Sequence, residues 1–245
     1  MLDLNQCLNT AKSAALLAGK FLVNAKGQSL EILSNTGRDL KLQLDIDTEK
    51  LIKDHITSDS SYPILGEETG SSGDLDNTYW VVDPLDGTSN FLRGIPISCV
   101  SIALMQDMKP MLGVIYDFNH DEIYWGHKES KAYIDDKEIS VSSLSQKSES
   151  TLVTGIPAKT NYSDSEFSEM ISNFQAWKKI RMIGSAAMAA CYVASGKVDQ
   201  YQEKGIYLWD VIAGAAIVEF SGGTAEISNQ RENFQVDVVF SNSKL

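Results

Sequence analysis

The chain has 245 residues, 43% of them hydrophobic, and carries 33 acidic against 21 basic residues, a formal net charge of −12. This length suffices for a sizeable core in one large domain or two closely joined lobes. The acidic balance argues against a nucleic-acid-binding surface. No apolar run is long enough to span a membrane, and the first residues lack the basic and apolar segments of a signal peptide. We therefore expect a cytoplasmic protein without a membrane partner.

Cysteine and histidine give no sign of a disulfide framework or a metal site. The three cysteines, Cys7, Cys99 and Cys191, are odd in number and lie in apolar context, so we expect reduced core residues. The three histidines lack the spacing of metal ligands. If a metal binds, the sequence predicts that oxygen atoms hold it.

The first part of the chain alternates helices with short strands. Apolar residues at helical spacing from Leu4 to Leu22 predict an amphipathic helix, which Gly27 ends. The patterns then predict, in order, a polar loop or hairpin to Arg38, a strand over 40–44 leading into Asp45, a helix over 47–56, a brief strand over 63–65 and a loop over 70–77. The brief strand delivers an acidic pair, Glu67 and Glu68.

The apolar run Tyr79–Val82 predicts a buried strand at the centre of the chain. Pro84 is expected to end that strand, because proline cannot donate a hydrogen bond to a sheet ladder. Asp83 and Asp86 then leave the strand end three residues apart, and a helix start is predicted at Thr88.

Two acids beside a helix N-terminus suit metal-assisted phosphoryl chemistry. Carboxylates bind hard divalent cations, and the free N–H groups of a helix N-terminus bind phosphate. Asp-Pro and Asp-Gly steps are also ordinary turn sequences, and an Asp-Gly-Thr segment commonly caps a helix. The spacing alone therefore leaves open both a structural turn and a catalytic element.

The second half of the chain changes character near Ser140. Before that point the patterns predict strands over 98–105, 111–116, 122–126 and 132–134. After it, strands at 151–154, 180–183 and 198–202 alternate with helices at 165–174, 185–194 and 209–220, and strands at 224–227 and 236–240 close the chain. The alternation predicts an α/β lobe following an α+β lobe.

Three motifs in order along the chain resemble those of the inositol monophosphatase family. The segment Trp80-Val-Val-Asp-Pro-Leu-Asp-Gly-Thr-Ser-Asn-Phe91 is similar to the family's first signature, and Trp209-Asp210 with the residues up to Gly223 is similar to its second. The acidic pair lies where the family has another metal ligand. The resemblance implies a mixed α+β and α/β fold, the layered αβαβα sandwich of the inositol monophosphatase and fructose-1,6-bisphosphatase type.

The change of pattern near Ser140 divides the chain into two predicted lobes of one compact unit, and the resemblance implies a site between them. Residues 1–139 would form the α+β lobe that carries most of the metal ligands. Residues 140–245 would form the α/β lobe with Asp210 and a substrate-binding segment, and the site would lie between the lobes.

For the metals, the resemblance implies two or three Mg²⁺ ions, with Mn²⁺ or Ca²⁺ as other occupants. Glu67, Asp83 and the Leu85 carbonyl would hold the first ion. Asp83, Asp86 and Asp210 would hold the second, and a third, looser ion would lie near Glu67.

For catalysis, the resemblance implies that Asp45 orients Thr88, which in turn orients the attacking water. Glu67 would take part as the acidic ligand of the first metal ion. The family commonly has Val-Thr upstream of this Asp, whereas this chain has Lys41-Leu42. The implied substrate-binding residues are Leu85, Asp86, Gly87, Thr88, Gly184, Ser185, Ala186, Glu203 and Asp210. A solvated edge glutamate is the structural alternative for Glu203, and an N-terminal helix acid is the alternative for Asp210.

The resulting prediction is a Mg²⁺-dependent, lithium-sensitive phosphatase that forms a homodimer. It would hydrolyse a small polyol or sugar monophosphate, with myo-inositol monophosphate first, by in-line attack of a water activated by metal. The alternatives are a 3′(2′),5′-bisphosphate nucleotidase, a fructose-1,6-bisphosphatase, a histidinol-phosphatase, or a catalytically weak member acting as a regulatory or binding partner.

Overall fold

A computed structural model describes residues 2–36, 39–157 and 161–245. Within these ranges it has six α-helices: α1 (Leu4–Ala25), α2 (Gln43–Asp59), α3 (Thr88–Arg93), α4 (Asp164–Phe174), α5 (Ala186–Ala194) and α6 (Leu208–Phe220). Its strands are β1 (Ile32–Thr36), β2 (Asp39–Leu42), β3 (Ile64–Gly66), β4 (Gly70–Ser71), β5 (Thr78–Asp86), β6 (Cys99–Gln106), β7 (Lys109–Asp117), β8 (Glu122–His127), β9 (Ala132–Ile134), β10 (Lys137–Glu138), β11 (Thr151–Thr154), β12 (Lys179–Arg181), β13 (Gln200–Tyr207), β14 (Thr224–Ser228) and β15 (Gln235–Ser241).

The strands form two large sheets and one hairpin. The first sheet has eight strands in the order β10-β9-β8-β7-β6-β5-β3-β4, and the second has five in the order β12-β11-β13-β15-β14. Strands β3 and β5 run parallel, as do β11, β12 and β13, while the other pairs are antiparallel. The separate hairpin of β1 and β2 occupies the predicted polar stretch, whose end at Arg38 lies outside the described residues.

The eight-stranded sheet has a hydrophobic core on each face, as the period-two geometry of its strands requires. From β5, Trp80 and Val82 point into the core formed with α1 and α2. Tyr79 and Val81 point into the core formed with α5, α6 and the five-stranded sheet. Helix α4 lies beside β13 and β15 of that second sheet. The order of layers is the predicted αβαβα.

Two predicted boundaries near the site are wrong. The strand expected over 40–44 ends at Leu42, and α2 begins at Gln43, because the Asp45 carboxylate accepts the Leu42 N–H at 2.9 Å and caps the first turn. Strand β5 also continues past Pro84 to Asp86, since a bulge between Asp83 and Asp86 removes the proline from the ladder.

In the described part of the chain, no helix combines the length and the apolar character needed to cross a membrane. Strands up to Glu138 belong to the eight-stranded sheet or the hairpin, and strands from Thr151 belong to the five-stranded sheet. The division into lobes at residues 139 and 140 stays a prediction.

Candidate active site

Three chain segments bring their carboxylates to one edge of the eight-stranded sheet. Strands β3 and β5 run parallel with Gly66 opposite Val82, so Glu67 and Asp83, the next residue of each segment, lie side by side. Asp210 comes from the first turn of α6, where it accepts the Tyr207 N–H at 3.2 Å. The parallel register of two strands and the start of one helix thus create the site.

Glu67, Asp83 and Asp210 each offer a carboxylate oxygen, and these oxygens lie within 4.8 Å of one another. Asp83 is almost fully buried, and its Oδ1 accepts the Leu85 N–H at 2.9 Å. Its Oδ2 is buried without a hydrogen-bond partner among the described residues. A buried, unpartnered carboxylate oxygen facing two other acids suits a hard divalent cation, which prefers oxygen ligands.

The electrostatics of this group favour either protonation of the carboxylates or a bound cation. Burial raises the pKa of Asp83 well above its ordinary value, and repulsion from Glu67, Asp86 and Asp210 adds to the shift. The pKa of Asp210 is raised well above its ordinary value for the same reasons, burial first. Enclosure of the Glu67 carboxylate, with repulsion from Glu68, raises its pKa as well, although the residue as a whole is exposed at the mouth of the site. A divalent cation would remove the repulsion that raises all three.

Asp86 contacts the N-terminus of α5 through one of its two carboxylate oxygens. Its Oδ2 accepts from the Ser185 hydroxyl and, at 2.8 Å, from the Ala187 N–H. Burial raises the pKa of Asp86 to about 6, while these donors act in the opposite direction. Asp86 therefore connects the predicted metal ligands to the predicted substrate segment Gly184–Ala186.

Thr88 and Gly87 surround the Leu85 carbonyl at the start of α3. The Thr88 hydroxyl donates to the Leu85 carbonyl oxygen at 3.0 Å, which leaves that oxygen a second lone pair. Gly87 has φ of 87°, and a β-carbon there would lie 2.8 Å from the Ile97 carbonyl oxygen. Only glycine fits this left-handed, crowded turn.

Asp45 is 2% exposed and lies in the first turn of α2. Burial raises its pKa to about 7. Its Oδ1 has no hydrogen-bond partner among the described residues, and the Thr88 hydroxyl is directed to Leu85. The structure therefore does not contain the direct Asp45–Thr88 hydrogen bond that the sequence led us to expect.

A cavity of about 230 Å³ is lined by five of the predicted substrate residues, Asp86, Gly184, Ser185, Ala186 and Glu203, whereas Leu85, Gly87, Thr88 and Asp210 do not line it. Its described lining residues are Asp86, Val153, Thr154, Gly155, Ile156, Ile183, Gly184, Ser185, Ala186, Tyr201, Glu203 and Ile206. The Glu203 carboxylate accepts the Tyr201 hydroxyl at 2.9 Å, and its burial raises its pKa to about 7. The Tyr201 hydroxyl thus fixes the Glu203 carboxylate at the cavity wall, and Glu203 is not a solvated residue at a strand edge.

Sequence reasoning missed several residues that support the site. Glu49 on α2 is fully buried and binds the turn that follows Glu67. Lys41, noted only as a departure from the family pattern, forms an ion pair with Glu68. Asn90 donates to the Ile183 carbonyl at 2.8 Å and so ties α3 to the substrate segment. None of these contacts has a local sequence signal, because each joins elements distant along the chain.

Comparison with known proteins places this geometry in context. The sequence profile described as the inositol monophosphatase family matches residues 3–241. A protein of Pasteurella multocida named Nus factor SuhB is 36% identical over 229 residues, covering 90% of this chain and 84% of that one. An inositol-1-monophosphatase of Synechocystis is 35% identical over 226 residues, covering 90% and 78%. The solved inositol monophosphatase of an Anabaena (Nostoc) species superposes with a TM-score of 0.85 at 32% identity, covering 99% and 93%.

Proposed function

The chain belongs to the inositol monophosphatase family and is a phosphatase of small phosphate esters, and we propose that its substrate is a polyol or sugar monophosphate, with myo-inositol monophosphate first. The observation that carries the proposal is the group of three carboxylate oxygens within 4.8 Å, beside a small cavity walled by Glu203. Charge and donor type in that group suit Mg²⁺.

Two Mg²⁺ ions, with a looser third, are the proposed cofactor. Glu67, Asp83 and the Leu85 carbonyl would hold the first ion, and Asp83, Asp86 and Asp210 the second. The unpartnered Oδ2 of Asp83 supports the shared role of this acid. Bound Mg²⁺ supplies Lewis acidity toward the phosphoryl oxygens and lowers the pKa of a water molecule.

The residues around the ions would position the reactants. The Thr88 hydroxyl would orient the attacking water. Asp45, whose raised pKa of about 7 suits proton transfer near neutral pH, would accept the proton that this water loses. Backbone N–H groups of Gly87 and Thr88 would contact the phosphate. The hydrogen bond from the Thr88 hydroxyl to the Leu85 carbonyl supports a fixed hydroxyl position.

The substrate alcohol would occupy the cavity between Ser185 and Glu203. Its volume of about 230 Å³ lies below the roughly 300–1,000 Å³ of typical drug-sized sites, which favours a small polyol. None of its described lining residues is Lys or Arg, which disfavours a second phosphate group. Lys159 lies outside the described residues.

A phosphate-release panel tests the proposal. The purified chain would be assayed with Mg²⁺, and with EDTA as control, on inositol monophosphates, fructose 1,6-bisphosphate, histidinol phosphate and adenosine 3′,5′-bisphosphate. We expect the highest kcat/KM on an inositol monophosphate and none in EDTA. A preference of tenfold or more for either bisphosphate would replace this substrate with the corresponding alternative.

The second candidate is a catalytically weak member that acts as a regulatory or binding partner. A relative of 36% identity bears the name Nus factor SuhB, which favours this candidate. The four acids Glu67, Asp83, Asp86 and Asp210 and the hydroxyl of Thr88 are all present, which favours the enzyme with full activity. Mg²⁺ binding without phosphate release on the whole panel would favour the partner.

We also propose a homodimer, lithium inhibition and a cytoplasmic location. The family resemblance supports the dimer and the lithium inhibition. Light scattering coupled to size exclusion would test the dimer, and LiCl titration of the Mg²⁺-dependent activity would test lithium inhibition.

A further inference from the structure

We propose that Glu49 is a positioning residue for the metal ligand Glu67. Its buried carboxylate holds the turn after β3 and thereby fixes the direction in which the Glu67 side chain enters the site. The inference rests on the proposed metal-dependent function. It concerns an acid outside the three motifs that resemble the family, in the middle of helix α2.

The Glu49 carboxylate receives three hydrogen bonds from the two residues that follow Glu67. Its Oε2 accepts the Glu68 N–H at 2.7 Å. Its Oε1 accepts the Thr69 N–H at 3.1 Å and the Thr69 hydroxyl at 2.5 Å. Hydrogen bonds to an ionised carboxylate are about twice as strong as neutral ones, so this turn is firmly attached to α2.

Glu49 also packs against the residue that precedes Glu67. A β-carbon on Gly66 would lie 2.5 Å from Cδ and both carboxylate oxygens of Glu49, so only glycine leaves room for this acid. The Glu67 N–H donates to the Val82 carbonyl of β5 at 3.2 Å. The backbone of Glu67 is therefore fixed by β5 on one side and by Glu49 before and after it.

The donors around Glu49 assign it a holding role and not a ligand role. Glu49 is 0% exposed. The Nζ atom of Lys53, one helical turn further along α2, lies 3.0 Å from the Oε1 atom of Glu49. Lys53 also donates to the Gly70 carbonyl at 3.3 Å, which joins it to the same turn. Both carboxylate oxygens thus have donors, and the charge has a partner. Burying a charged carboxylate costs free energy of desolvation. A role in positioning Glu67 explains why this acid is present despite that cost.

The test is Glu49→Gln, which keeps the shape but turns an amide NH₂ toward N–H donors. Residues that orient metal ligands typically contribute about 10–100-fold in metal affinity. We expect calorimetric titration of the metal-free protein with Mg²⁺ to give a dissociation constant raised by about that factor. The kcat at saturating Mg²⁺ should recover to within about threefold of the wild type. Asp54→Asn, on the same helix but exposed and paired with Lys50, is the matched control and should change neither value.

A purely structural role for Glu49 would lower the melting temperature but leave Mg²⁺ affinity unchanged in the folded protein, and that result would overturn the proposal. If Glu49→Gln fails to fold, Thr69→Ala serves instead, because Thr69 is exposed and its loss removes one hydrogen bond to Glu49. A rise of up to about tenfold in the Mg²⁺ dissociation constant is expected there, and an unchanged constant contradicts us. If the wild-type chain itself binds no Mg²⁺, the proposed function fails first; binding that is equal in wild type and variant overturns the Glu49 role alone.

Discussion

The Thr88 hydroxyl donates to the carbonyl oxygen of Leu85, three residues earlier, across 3.0 Å. This hydrogen bond joins the side chain proposed to orient the attacking water to the carbonyl proposed to face the first metal. Asp45, which caps α2 through the Leu42 N–H, keeps an unpartnered Oδ1 among the described residues. The Leu85 carbonyl therefore fixes the Thr88 hydroxyl. Any effect of Asp45 on the proposed attacking water has to come from Asp45 itself, because the Thr88 hydroxyl does not link the two.

Thr88→Ala should lower kcat by about 10²–10⁴-fold, the usual range for a positioned proton-transfer group. Substrate KM should change little, because the Thr88 N–H remains available to the phosphate. Steady-state kinetics at saturating Mg²⁺ would measure both values. Thr88→Ser keeps the hydroxyl and should retain most of the activity; an equal loss in the serine variant would mean that the methyl group, not the hydroxyl, matters.

Asp45→Asn should give a smaller loss of kcat than Thr88→Ala, since the proposed Mg²⁺ ions would already lower the pKa of the water. If both residues act on one water, the double variant should lose much less than the product of the two single losses. Losses that multiply fully would show that the two residues act independently. The absent hydrogen bond between them makes this the decisive measurement for Asp45.

Asp83→Asn should abolish phosphatase activity at every Mg²⁺ concentration, because the variant removes the charge that both ions would share. The metal-free fold should become more stable, since Asp83 is buried beside Glu67 and Asp210 and repels both. A gain of about 1 kcal/mol would raise the melting temperature in EDTA by about 2–4 °C. The exposed variant Asp54→Asn is the control, and wild-type turnover in Asp83→Asn would remove this acid from the metal site.

Glu203→Gln should weaken transition-state binding of a polyol phosphate while leaving the metal site assembled. Loss of one hydrogen bond to a charged group costs about 1.5–3 kcal/mol, or roughly 10- to 150-fold in kcat/KM. An aryl phosphate without hydroxyls should be affected far less. Tyr201→Phe, which removes the hydroxyl that holds Glu203 at 2.9 Å, should show the same substrate selectivity in smaller degree. Equal losses on both substrates would assign Glu203 to the chemistry or the fold.

The periodic parts of the fold could be predicted from the sequence because their signals are local. The apolar residues from Leu4 to Leu22 gave α1, and the alternation after Thr151 gave the strands and helices of the five-stranded sheet. The path through Pro84 could not be predicted, since a bulge that removes a proline from a ladder depends on the partner strand β6. The rule that proline ends a strand predicted the end of β5 at Pro84, whereas pairing with β6 extends it to Asp86.

The acids of the candidate site could be predicted from their motifs, but their supports could not. Glu49 and Lys53 are four residues apart on a helix and read as an ordinary surface pair. The full burial of Glu49 and the partial burial of Lys53 under the turn after β3 are a consequence of how α2 packs on the sheet. Likewise, nothing near Asp86 in sequence indicates that the N-terminus of α5, about a hundred residues later, supplies its donors.

In the metal-free chain the free energy of unfolding should fall as pH rises through the acidic and neutral range. Burial raises the pKa of Asp86 to about 6 and of Asp45 to about 7, above the ordinary value of 3.8. Such groups bind their protons more tightly in the folded than in the unfolded state, so deprotonation between about pH 4 and about pH 7 favours unfolding. Melting temperatures in EDTA should thus be lower at about pH 8 than at about pH 5.

Mg²⁺ should reverse this trend, because it binds the deprotonated carboxylates. The rise in melting temperature on adding Mg²⁺ should be larger at about pH 8 than at about pH 5. Asp83→Asn is the control variant and should show a reduced Mg²⁺ effect at both values. A rise in melting temperature with Mg²⁺ that is the same at both pH values would contradict the raised pKa values of the buried acids.

Lys41 belongs to the Lys41-Leu42 pair that stands where the family commonly has Val-Thr, and its ammonium group pairs with Glu68, the residue after the proposed metal ligand Glu67. This fixed positive charge opposes the binding of cations. Lys41→Gln should therefore increase Mg²⁺ affinity. Because the Lys41 side chain is 36% exposed, solvent screens its charge, and we expect a gain of about 0.5–1 kcal/mol, or roughly twofold to fivefold in the dissociation constant.

Calorimetric titration with Mg²⁺ at low and high ionic strength would measure this effect, and the difference between variant and wild type should shrink in high salt. Lys50→Gln, on α2 and paired with Asp54 at the surface, removes a charge away from the site and should leave the affinity unchanged. A weaker Mg²⁺ affinity in Lys41→Gln would mean that the ion pair with Glu68 organises the acidic turn, as we propose for Glu49. In that case the structural effect of Lys41 would exceed the electrostatic repulsion of its charge.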